Sequence, residues 1–325
     1  MKENFWKKLN KPFFVLAPMA NVTDWAFRKI ITKCGRPDVF YTEFLPCDGI
    51  VHDKKRFEKE LYFEKSEKPI VVQLFGSKPD NFYKCAQLAQ KLGYDGIDIN
   101  MGCPDKSVEK QGAGAALILA PELAKKIIKE TKRGAGKLPV SVKTRIGYNK
   151  IETKEWISKL LEMEPAAITV HGRTRKEMSK VPAHWDEVGI SAKMAKDTET
   201  LIIGNGDVAN LKDARQKAKD YELDGVMIGR AIFANPWFFN EKIDIKKIKP
   251  KERIELLLDH IDNFLKLWGD KPSGVINIDK IKKFFKVYVS DWPADTDRTG
   301  AKELRAKLMT AKNKQDIVDI LSKES

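Results

Sequence analysis

Cysteine and histidine are scarce in this chain of 325 residues, which has four of each. The cysteines are Cys34, Cys47, Cys85 and Cys103, and they form no C-x-x-C pair and no cluster with histidine. This spacing argues against a zinc site or a disulfide framework, so we expect no metal, reduced thiols and a cytoplasmic protein. Long hydrophobic runs are missing too, because the longest are strand-sized, and we expect no membrane association.

The main compositional feature that is present is an excess of basic side chains. The chain has 60 Lys and Arg against 46 Asp and Glu, a net charge of +14 at pH 7. Such an excess favours a polyanionic partner, although charge does not identify which one. Hydrophobic residues make up 42% of the sequence, which is enough for a full core and an appended domain.

Short apolar runs alternate with amphipathic helical patterns eight times in the first three quarters of the chain. That number is typical of a (β/α)8 TIM barrel, whose strands are buried on both faces. A doubly wound parallel sheet gives the same alternation and stays open as the alternative. The predicted strands are 13–17, 39–43, 70–74, 96–99, 140–143, 167–170, 201–203 and 225–228, and the predicted helices include 80–92, 121–133, 153–163 and 211–219.

Polar and special residues are concentrated at the C-terminal ends of the predicted strands. In a TIM barrel these ends meet at one mouth, where such enzymes have their active sites. This placement favours the barrel over the open sheet. The residues are Pro18, Met19, Gln73, Asn100, Cys103, Lys143, Arg145, His171, Gly172, Arg173, Asn205, Gly206, Asp207, Gly229 and Arg230.

The loops after the seventh and eighth strands have the features of a phosphate site. Asn205-Gly206-Asp207 follows the seventh strand and Gly229-Arg230 follows the eighth. Glycines expose backbone N–H groups, and a helix beginning behind them favours a bound anion. Each segment alone is common in ordinary turns. Together, in these two loops, they predict a phosphorylated cofactor or substrate.

Lys143 and Gln73 suggest which cofactor this is. A lysine on a buried parallel strand is costly unless it meets an anion or faces a polar mouth, although a strand-end lysine can also extend to solvent. A fixed positive charge would stabilise an anionic reduced flavin, and Gln73 could bind the pyrimidine edge of the ring. We therefore interpret both residues as parts of one flavin site with the phosphate loops.

Cys103 lies in Asn100-Met101-Gly102-Cys103-Pro104, immediately after the apolar run Gly96-Ile97-Asp98-Ile99. Free cysteines are often simply buried in a core, and that interpretation is equally open for an isolated residue. Here, however, the thiol ends a strand among the polar residues described above. An unperturbed thiol has a pKa of about 8.5, so it is largely protonated at neutral pH and suited to donate a proton.

Seven segments, in order along the chain, resemble the signature motifs of the tRNA-dihydrouridine synthases. The similarity runs from about residue 12 to 240, and seven motifs in register are far more specific than any one of them. They are Ala17-Pro18-Met19-Ala20-Asn21-Val22-Thr23-Asp24, Gln73-Leu74-Phe75-Gly76, Asp98-Ile99-Asn100-Met101-Gly102-Cys103-Pro104, Val142-Lys143-Thr144-Arg145, His171-Gly172-Arg173-Thr174, Gly204-Asn205-Gly206-Asp207 and Gly229-Arg230-Ala231.

The resemblance implies an FMN-dependent TIM barrel that reduces the C5=C6 bond of specific uridines in tRNA with NADPH as reductant. It implies that Cys103 is the proton donor and that Asn100, Arg145 and Arg173 face the uracil or neighbouring phosphates. The family often has Ala-Asp-Trp where this chain has Ala183-His184-Trp185, which puts a role for that acid in doubt. The implied flavin-binding residues are Pro18, Met19, Ala20, Gln73, Lys143, His171, Asn205, Gly206, Asp207, Gly229 and Arg230.

Beyond residue 240 the sequence changes to helical patterns at 253–267, 278–289, 301–309 and 314–321. We expect a catalytic FMN-binding barrel at 1–240 and an all-helical domain at 241–325, which the resemblance implies binds tRNA. Phe284, Phe285 and Tyr288 lie among lysines and could stack on RNA, but their helical spacing favours core packing. A monomer is expected, and the alternative function is reduction of a free pyrimidine or another small enone.

Overall fold

The protein is described here from a computed structural model covering residues 4–269, 278–289 and 300–323. Within these residues, eight β-strands form one parallel sheet. The strands are β1 (Phe13–Leu16), β2 (Phe40–Pro46), β3 (Ile70–Phe75), β4 (Gly96–Met101), β5 (Val140–Arg145), β6 (Ala167–His171), β7 (Leu201–Asn205) and β8 (Gly225–Ile228).

The helices of the described residues include α-helices and short 3-10 turns. The α-helices are α1 (Trp25–Gly35), α2 (Cys47–His52), α3 (Pro79–Leu92), α4 (Lys106–Glu109), α5 (Pro121–Ala135), α6 (Thr153–Leu161), α7 (Trp185–Ala195), α8 (Leu211–Asp220), α9 (Pro250–Trp268), α10 (Asp279–Lys282), α11 (Phe285–Val289), α12 (Ala301–Met309) and α13 (Lys314–Leu321). The 3-10 helices are Phe5–Lys8, Lys54–Phe57, Lys65–Glu67, Gly114–Leu119, Arg230–Phe233 and Ile245–Lys247.

The sheet closes on itself. Its order is β1-β8-β7-β6-β5-β4-β3-β2, so each strand pairs with its neighbours in sequence. A parallel bridge between Val15 and Val39 joins the two ends, and the Leu16 N–H donates to the Val39 carbonyl at 3.2 Å. Sequential order with closure is the topology of a (β/α)8 barrel, whereas a doubly wound sheet stays open. The predicted TIM-barrel fold is therefore confirmed.

Several strands extend further at their C-terminal ends than the apolar runs suggested. Asn100, His171 and Asn205 lie on strands rather than in the loops after them, and β5 continues beyond residue 143 to Arg145. The apolar pattern ends early because these positions are polar, although their backbone continues the parallel ladder. A strand boundary set by hydrophobicity is thus wrong where the strand has a polar end.

The chain folds into two compact units. The first comprises Met1–Ala20 and Pro37–Gly229, and the second comprises Asn21–Arg36 and Arg230–Ser325. Helix α1 therefore groups with the C-terminal helices, although it follows β1 in sequence. The functional division at 1–240 and 241–325 stays a prediction.

The lower interior of the barrel is filled by apolar side chains. Trp6, on the 3-10 helix Phe5–Lys8, is buried and its ring centroid lies 5.6 Å from that of Phe13. Val71, Ala167 and Ile203 belong to the same cluster. Because side chains alternate along a strand, the residues two positions later face the same interior nearer the mouth. Those later positions are where the interior becomes polar.

The second unit has an aromatic core that includes α1. The ring of Phe27 lies 5.0 Å from that of Phe284 and 5.6 Å from that of His260, measured between centroids. His260 and Tyr288 share a buried hydrogen bond of 2.7 Å. Phe284, Phe285 and Tyr288 are all buried, which confirms that these rings pack in a core rather than presenting a stacking surface.

The C-terminal helices agree with the sequence pattern except at one point. The pattern over 278–289 is divided into α10 and α11, with Lys283 and Phe284 between them. Helices α12 and α13 have the predicted bounds, and α9 is slightly longer than predicted. A search of the described residues finds no helix long and apolar enough to cross a membrane.

Candidate active site

A layer of polar side chains lies inside the barrel above the apolar cluster. Gln73 on β3, Asp98 on β4 and Ser141 on β5 are paired in register on adjacent strands and are all buried. One step nearer the mouth, Asn100 on β4 pairs with Lys143 on β5. The strands therefore bring Gln73, Asn100 and Lys143 together, as the sequence predicted.

A hydrogen-bond chain connects this layer to the loop after β4. Gln73 Nε2 donates to Asp98 Oδ2 at 2.7 Å, and Asn100 Nδ2 donates to Gln73 Oε1 at 2.9 Å. Asn100 Oδ1 then accepts from the backbone N–H groups of Gly102 at 3.1 Å and Cys103 at 2.9 Å. The position of Cys103 is thereby fixed by side chains inside the barrel.

Cys103 differs from the other three cysteines in its exposure. Cys34, Cys47 and Cys85 are buried, whereas Cys103 is half-buried. It packs against a small apolar cluster that includes Phe75. Burial raises the pKa of the Cys103 thiol, so the group stays protonated at neutral pH. A protonated, partly accessible thiol at a strand end is able to act as a general acid.

The segment after Cys103 folds back onto it. It includes the small residues at 111–116, part of which form the 3-10 helix Gly114–Leu119. The Ala115 N–H donates to the Cys103 carbonyl at 2.9 Å. Gly114 has a φ of +62°, and a Cβ there would lie 2.8 Å from the same carbonyl oxygen. A glycine is therefore required for this close approach.

Two charged groups in the polar layer, the half-buried Lys143 and the buried Asp98, have shifted pKa values. Burial lowers the pKa of Lys143 to about 8, with a further contribution from Arg145. Burial raises the pKa of Asp98 to about 6, although hydrogen bonds from Ser141 and Gln73 act against this rise. Near pH 7 Lys143 is still mostly protonated. The layer therefore presents a cation close to the mouth with a carboxylate below it.

The loops after β7 and β8 could hold a phosphate. Asn205 is fixed by a hydrogen bond from its Nδ2 to the Met227 carbonyl at 2.8 Å, which joins the two strand ends. Gly206 has a φ of +130°, and a Cβ there would lie 2.7 Å from the Cβ of Ala183. Gly206 and Gly229 directly follow the adjacent strands β7 and β8. Backbone N–H groups at such loop positions fit an anionic group.

The β6 loop is held to the β7 loop by Arg173. Its Nε donates to the Val181 carbonyl at 2.6 Å, and its Nη2 forms an ion pair with Asp207. Its Nη1 lies 3.3 Å from His171 Nε2. The guanidinium is almost fully buried, so its contacts in this structure are with protein groups. Contact with substrate, predicted for Arg173, is not observed directly and stays a prediction.

Arg145 has a similar arrangement on β5. Its Nε donates to the Gly102 carbonyl at 2.7 Å, and its Nη1 donates to the Thr174 carbonyl at 3.1 Å. Burial and neighbouring arginines leave its pKa at about 10, so it is cationic at neutral pH. The side chain thus braces the Cys103 segment against the β6 loop. Its predicted substrate contact is also untested.

The remaining predicted residues lie at strand ends. Pro18 is buried, Met19 is half-buried against the interior cluster and Ala20 is exposed after β1. Arg230 is exposed and begins the 3-10 helix Arg230–Phe233, in the second unit. Within the residues that the structure describes, no group of three or more His, Cys, Asp or Glu side chains could hold a metal ion.

His184, which replaces the acid expected from the motif, is part of a small hydrogen-bonded cluster. Its Nε2 lies 2.9 Å from Glu177 Oε1, and it precedes α7 as the N-cap residue. Glu177 also accepts from the Thr174 N–H at 2.8 Å. His184 therefore has a structural role in the β6 loop.

Asp98 and Ser141 are the polar-layer residues that the motif analysis did not select. The sequence carried a signal for Asp98, since it is a charged residue inside the apolar run of β4, where an unpaired charge is costly. It also lies two positions before Asn100, and therefore on the same face of the strand. No comparable signal marked Ser141, because serine is common on strands.

Comparison with known proteins identifies a family. The dihydrouridine synthase family matches residues 15–322. The chain is 41% identical over 318 residues to a probable tRNA-dihydrouridine synthase from Staphylococcus aureus (strain COL), covering 96% of this chain and 93% of that protein. It is 39% identical over 326 residues to probable tRNA-dihydrouridine synthase 2 from Bacillus subtilis (strain 168), covering 99% and 96%.

Solved structures resemble the fold at low sequence identity. Histamine dehydrogenase from Rhizobium sp. 4-9 superposes with a TM-score of 0.53 at 12% identity, over 77% of this chain and 48% of that chain. The 6-hydroxypseudooxynicotine amine oxidase of Pseudomonas geniculata N1 gives a TM-score of 0.55 at 13% identity, over 74% and 50%. At such identities the similarity concerns the fold alone.

Proposed function

The chain belongs to the dihydrouridine synthase family, and on that premise we propose that it reduces specific uridines in tRNA to 5,6-dihydrouridine. It is an oxidoreductase whose catalytic unit is the barrel. The observation that carries the proposal is the half-buried Cys103 thiol, fixed by Asn100 at the mouth beside Lys143. The proposal is supported by a protonated thiol and a cation at one end of a polar barrel interior.

The cofactor that fits this site is FMN. The N–H groups of Gly206 and Gly229 would bind its phosphate, and Lys143 would face the ring as a fixed positive charge. FMN has a single phosphate, in agreement with a single pair of donor loops. We propose a flavin site formed by Pro18, Met19, Ala20, Gln73, Lys143, His171, Asn205, Gly206, Asp207, Gly229 and Arg230.

Bound flavin would supply the hydride that adds to C6 of the uracil, with NADPH as the source of electrons. Hydride addition breaks the C5=C6 double bond and leaves negative charge on C5 and O4. Cys103 Sγ would donate its proton to C5, and the resulting thiolate would then recover a proton from solvent. The raised pKa of Cys103 keeps the donor protonated before the reaction, which is what a general acid requires.

The substrate has to reach the mouth of the barrel as an unstacked base. A uridine within folded tRNA would be flipped out of its stack, as for other enzymes that modify bases. The net charge of +14 favours phosphate binding around the site. We propose that Asn100, Arg145 and Arg173 lie next to the uracil or its phosphates. The helical C-terminal region would bind the rest of the tRNA, and the enzyme would act as a cytoplasmic monomer.

The proposal is tested in cells by deleting the gene and mapping dihydrouridine in tRNA at nucleotide resolution. We expect dihydrouridine to disappear from one or more defined positions. Expression of the wild-type chain should restore the modification, whereas expression of Cys103→Ala should not. An unchanged dihydrouridine map in the deletion strain, with no other family member present, would exclude this function.

A further inference from the structure

Asp98 is an ionisable side chain inside the barrel to which the proposed chemistry assigns no role. Its side chain is fully buried, and both carboxylate oxygens accept hydrogen bonds. Ser141 Oγ donates to Oδ1 at 2.6 Å and Gln73 Nε2 donates to Oδ2 at 2.7 Å. A buried carboxylate needs such partners, but an apolar residue would fill the same position without them. Its presence therefore calls for an explanation.

The explanation lies in the direction of the hydrogen-bond chain. An ionised carboxylate only accepts hydrogen bonds, so Gln73 has to turn its NH2 group toward Asp98. The Gln73 carbonyl then faces Asn100, which has to donate to it from its own NH2 group. Asn100 is left with its carbonyl oxygen toward the loop. That oxygen accepts from the N–H groups of Gly102 and Cys103.

The backbone groups at the Cys103 end of the hydrogen-bond chain require the same orientation of the two amide side chains. The backbone N–H groups of Gly102 and Cys103 are donors and cannot change, so they need an acceptor at Asn100. Two amide side chains thus lie between two fixed donors at one end and a fixed acceptor at the other. Only one orientation of both amides satisfies every contact. A misoriented amide would leave a buried polar group unpaired.

We propose that Asp98 is a positioning residue, which fixes the Gln73 and Asn100 amides in one orientation and thereby holds Cys103 in place for proton donation. It acts through Gln73 and Asn100 and touches no substrate. This proposal rests on the proposed function for the purpose of the arrangement. The hydrogen-bond chain itself, however, can be tested without cofactor or tRNA.

According to the proposal, Asp98 orients Gln73 because it offers a hydrogen-bond acceptor. Two variants of Asp98 with a similar shape distinguish the effect of the acceptor from the effect of the negative charge. Asp98→Asn is neutral but can turn its carbonyl oxygen toward Gln73 Nε2, because Ser141 can accept from the new NH2 group. Asp98→Leu fills nearly the same space and offers no acceptor. Ser141→Ala is the matched control, since it removes a hydrogen bond to Asp98 on the side away from Gln73.

The direct measurement is hydrogen–deuterium exchange of full-length protein, with bound flavin removed, read on a peptide that contains Gly102 and Cys103. In Asp98→Leu we expect these two amides to exchange about fivefold to tenfold faster, the effect of weakening one hydrogen-bond acceptor. In Asp98→Asn and Ser141→Ala we expect rates within about twofold of wild type. Peptides from the lower barrel, such as one covering Val71, should not change.

The second measurement is enzymatic activity with tRNA. In the flavin-loaded enzyme, Asp98→Leu should lower kcat while the KM for tRNA stays unchanged, and Asp98→Asn should restore kcat to near the wild-type value. Rescue by the conservative variant identifies the acceptor as the important feature. If Asp98→Leu does not fold, Gln73→Leu is the second variant. It removes the side chain that links Asp98 to Asn100 by hydrogen bonds, and it should accelerate exchange at Gly102 and Cys103 in the same way.

Two results would overturn the proposal. One is unchanged exchange at Gly102 and Cys103 in the folded variant, whether Asp98→Leu or Gln73→Leu. The other is equal acceleration in Asp98→Asn and Asp98→Leu, which would mean that charge rather than the acceptor is what matters. Since exchange is measured without flavin or tRNA, a failure of the proposed enzymatic function would not be confused with either result.

Discussion

Replacing Cys103 with alanine should remove most of the turnover and leave the fold intact. The side chain is half-buried at the edge of a small apolar cluster, so deleting one sulfur atom leaves little empty space. We expect a loss of about 1 kcal/mol or less in the free energy of unfolding. A positioned general acid contributes roughly 10²–10⁴-fold to the rate. At about 1.4 kcal/mol for each factor of ten, this corresponds to roughly 3–5.5 kcal/mol in the activation barrier.

The assay is single-turnover oxidation of the reduced, flavin-loaded enzyme by tRNA, which separates the chemical step from cofactor reduction. Reduction by NADPH should be unchanged in Cys103→Ala, whereas oxidation by tRNA should slow by the factor above. Alanine variants of the buried Cys34, Cys47 and Cys85 are the controls, and they should keep the wild-type rate. A Cys103→Ala enzyme that is oxidised by tRNA at the wild-type rate would remove the thiol from the mechanism.

The pH dependence of the same step follows from the direction of the pKa shift. The Cys103 pKa is raised above its ordinary value by burial, so the thiol is protonated throughout the neutral range. The thiol should therefore contribute a fall in the rate of oxidation by tRNA at alkaline pH, as it loses its proton. In Cys103→Ala the contribution of the thiol to that alkaline fall should be absent. A wild-type rate that falls between pH 6 and 8 because of Cys103 would contradict the assignment.

Three further predictions concern the cofactor site and the second unit. Lys143→Met should weaken FMN binding by about tenfold or more, as measured by flavin fluorescence, because it removes a charged contact. A chain that ends at residue 246 lacks Phe284 and His260, so the ring of Phe27 on α1 would lose its aromatic neighbours and become exposed. We expect this chain to aggregate, as measured by light scattering. Burial lowers the pKa of His260 from 6.5 to about 3, so the neutral form is favoured in the fold. The free energy of unfolding should fall as the pH drops below about 6.5, and His260→Gln should lose part of that fall in urea titrations.

The barrel could be predicted from sequence because each of its strands is a short buried run followed by a helix. The C-terminal ends of the strands were less predictable, since Asn100, His171 and Asn205 interrupt the apolar pattern while the backbone ladder continues. Polar side chains inside a barrel mouth form hydrogen bonds with one another, and they do not follow the apolar periodicity of the strand. For this reason hydrophobicity finds the strand and misses where it ends.

The grouping of α1 with the C-terminal helices had no sequence signal. Its amphipathic pattern is the same as that of any helix after a barrel strand, so the pattern cannot identify its partner. The contacts that do so join residues far apart in sequence, such as Phe27 with Phe284 and Asn240 with the Cys34 carbonyl. A clean separation of the helical region at residue 240 would therefore divide one compact unit.

Several residues of the candidate site could be selected from the sequence, but the hydrogen bonds that connect them could not. Gln73, Lys143 and Cys103 were selected individually from their chemistry and their place at strand ends. Their coupling through Asp98 and Asn100 depends on strand register, which sets which side chains face each other. The carbonyl contacts of Arg145 depend on the path of the β6 loop, and loop paths are not encoded in a short motif.

Incubation of the purified, flavin-loaded protein with NADPH and unmodified tRNA tests the proposed activity most directly, with dihydrouridine measured by mass spectrometry of nuclease digests. Free uridine at the same nucleotide concentration serves as the parallel substrate. We expect dihydrouridine at one or a few defined positions of the tRNA and a far lower rate on free uridine. No dihydrouridine in the tRNA, or equal rates on the two substrates, would contradict the proposed activity.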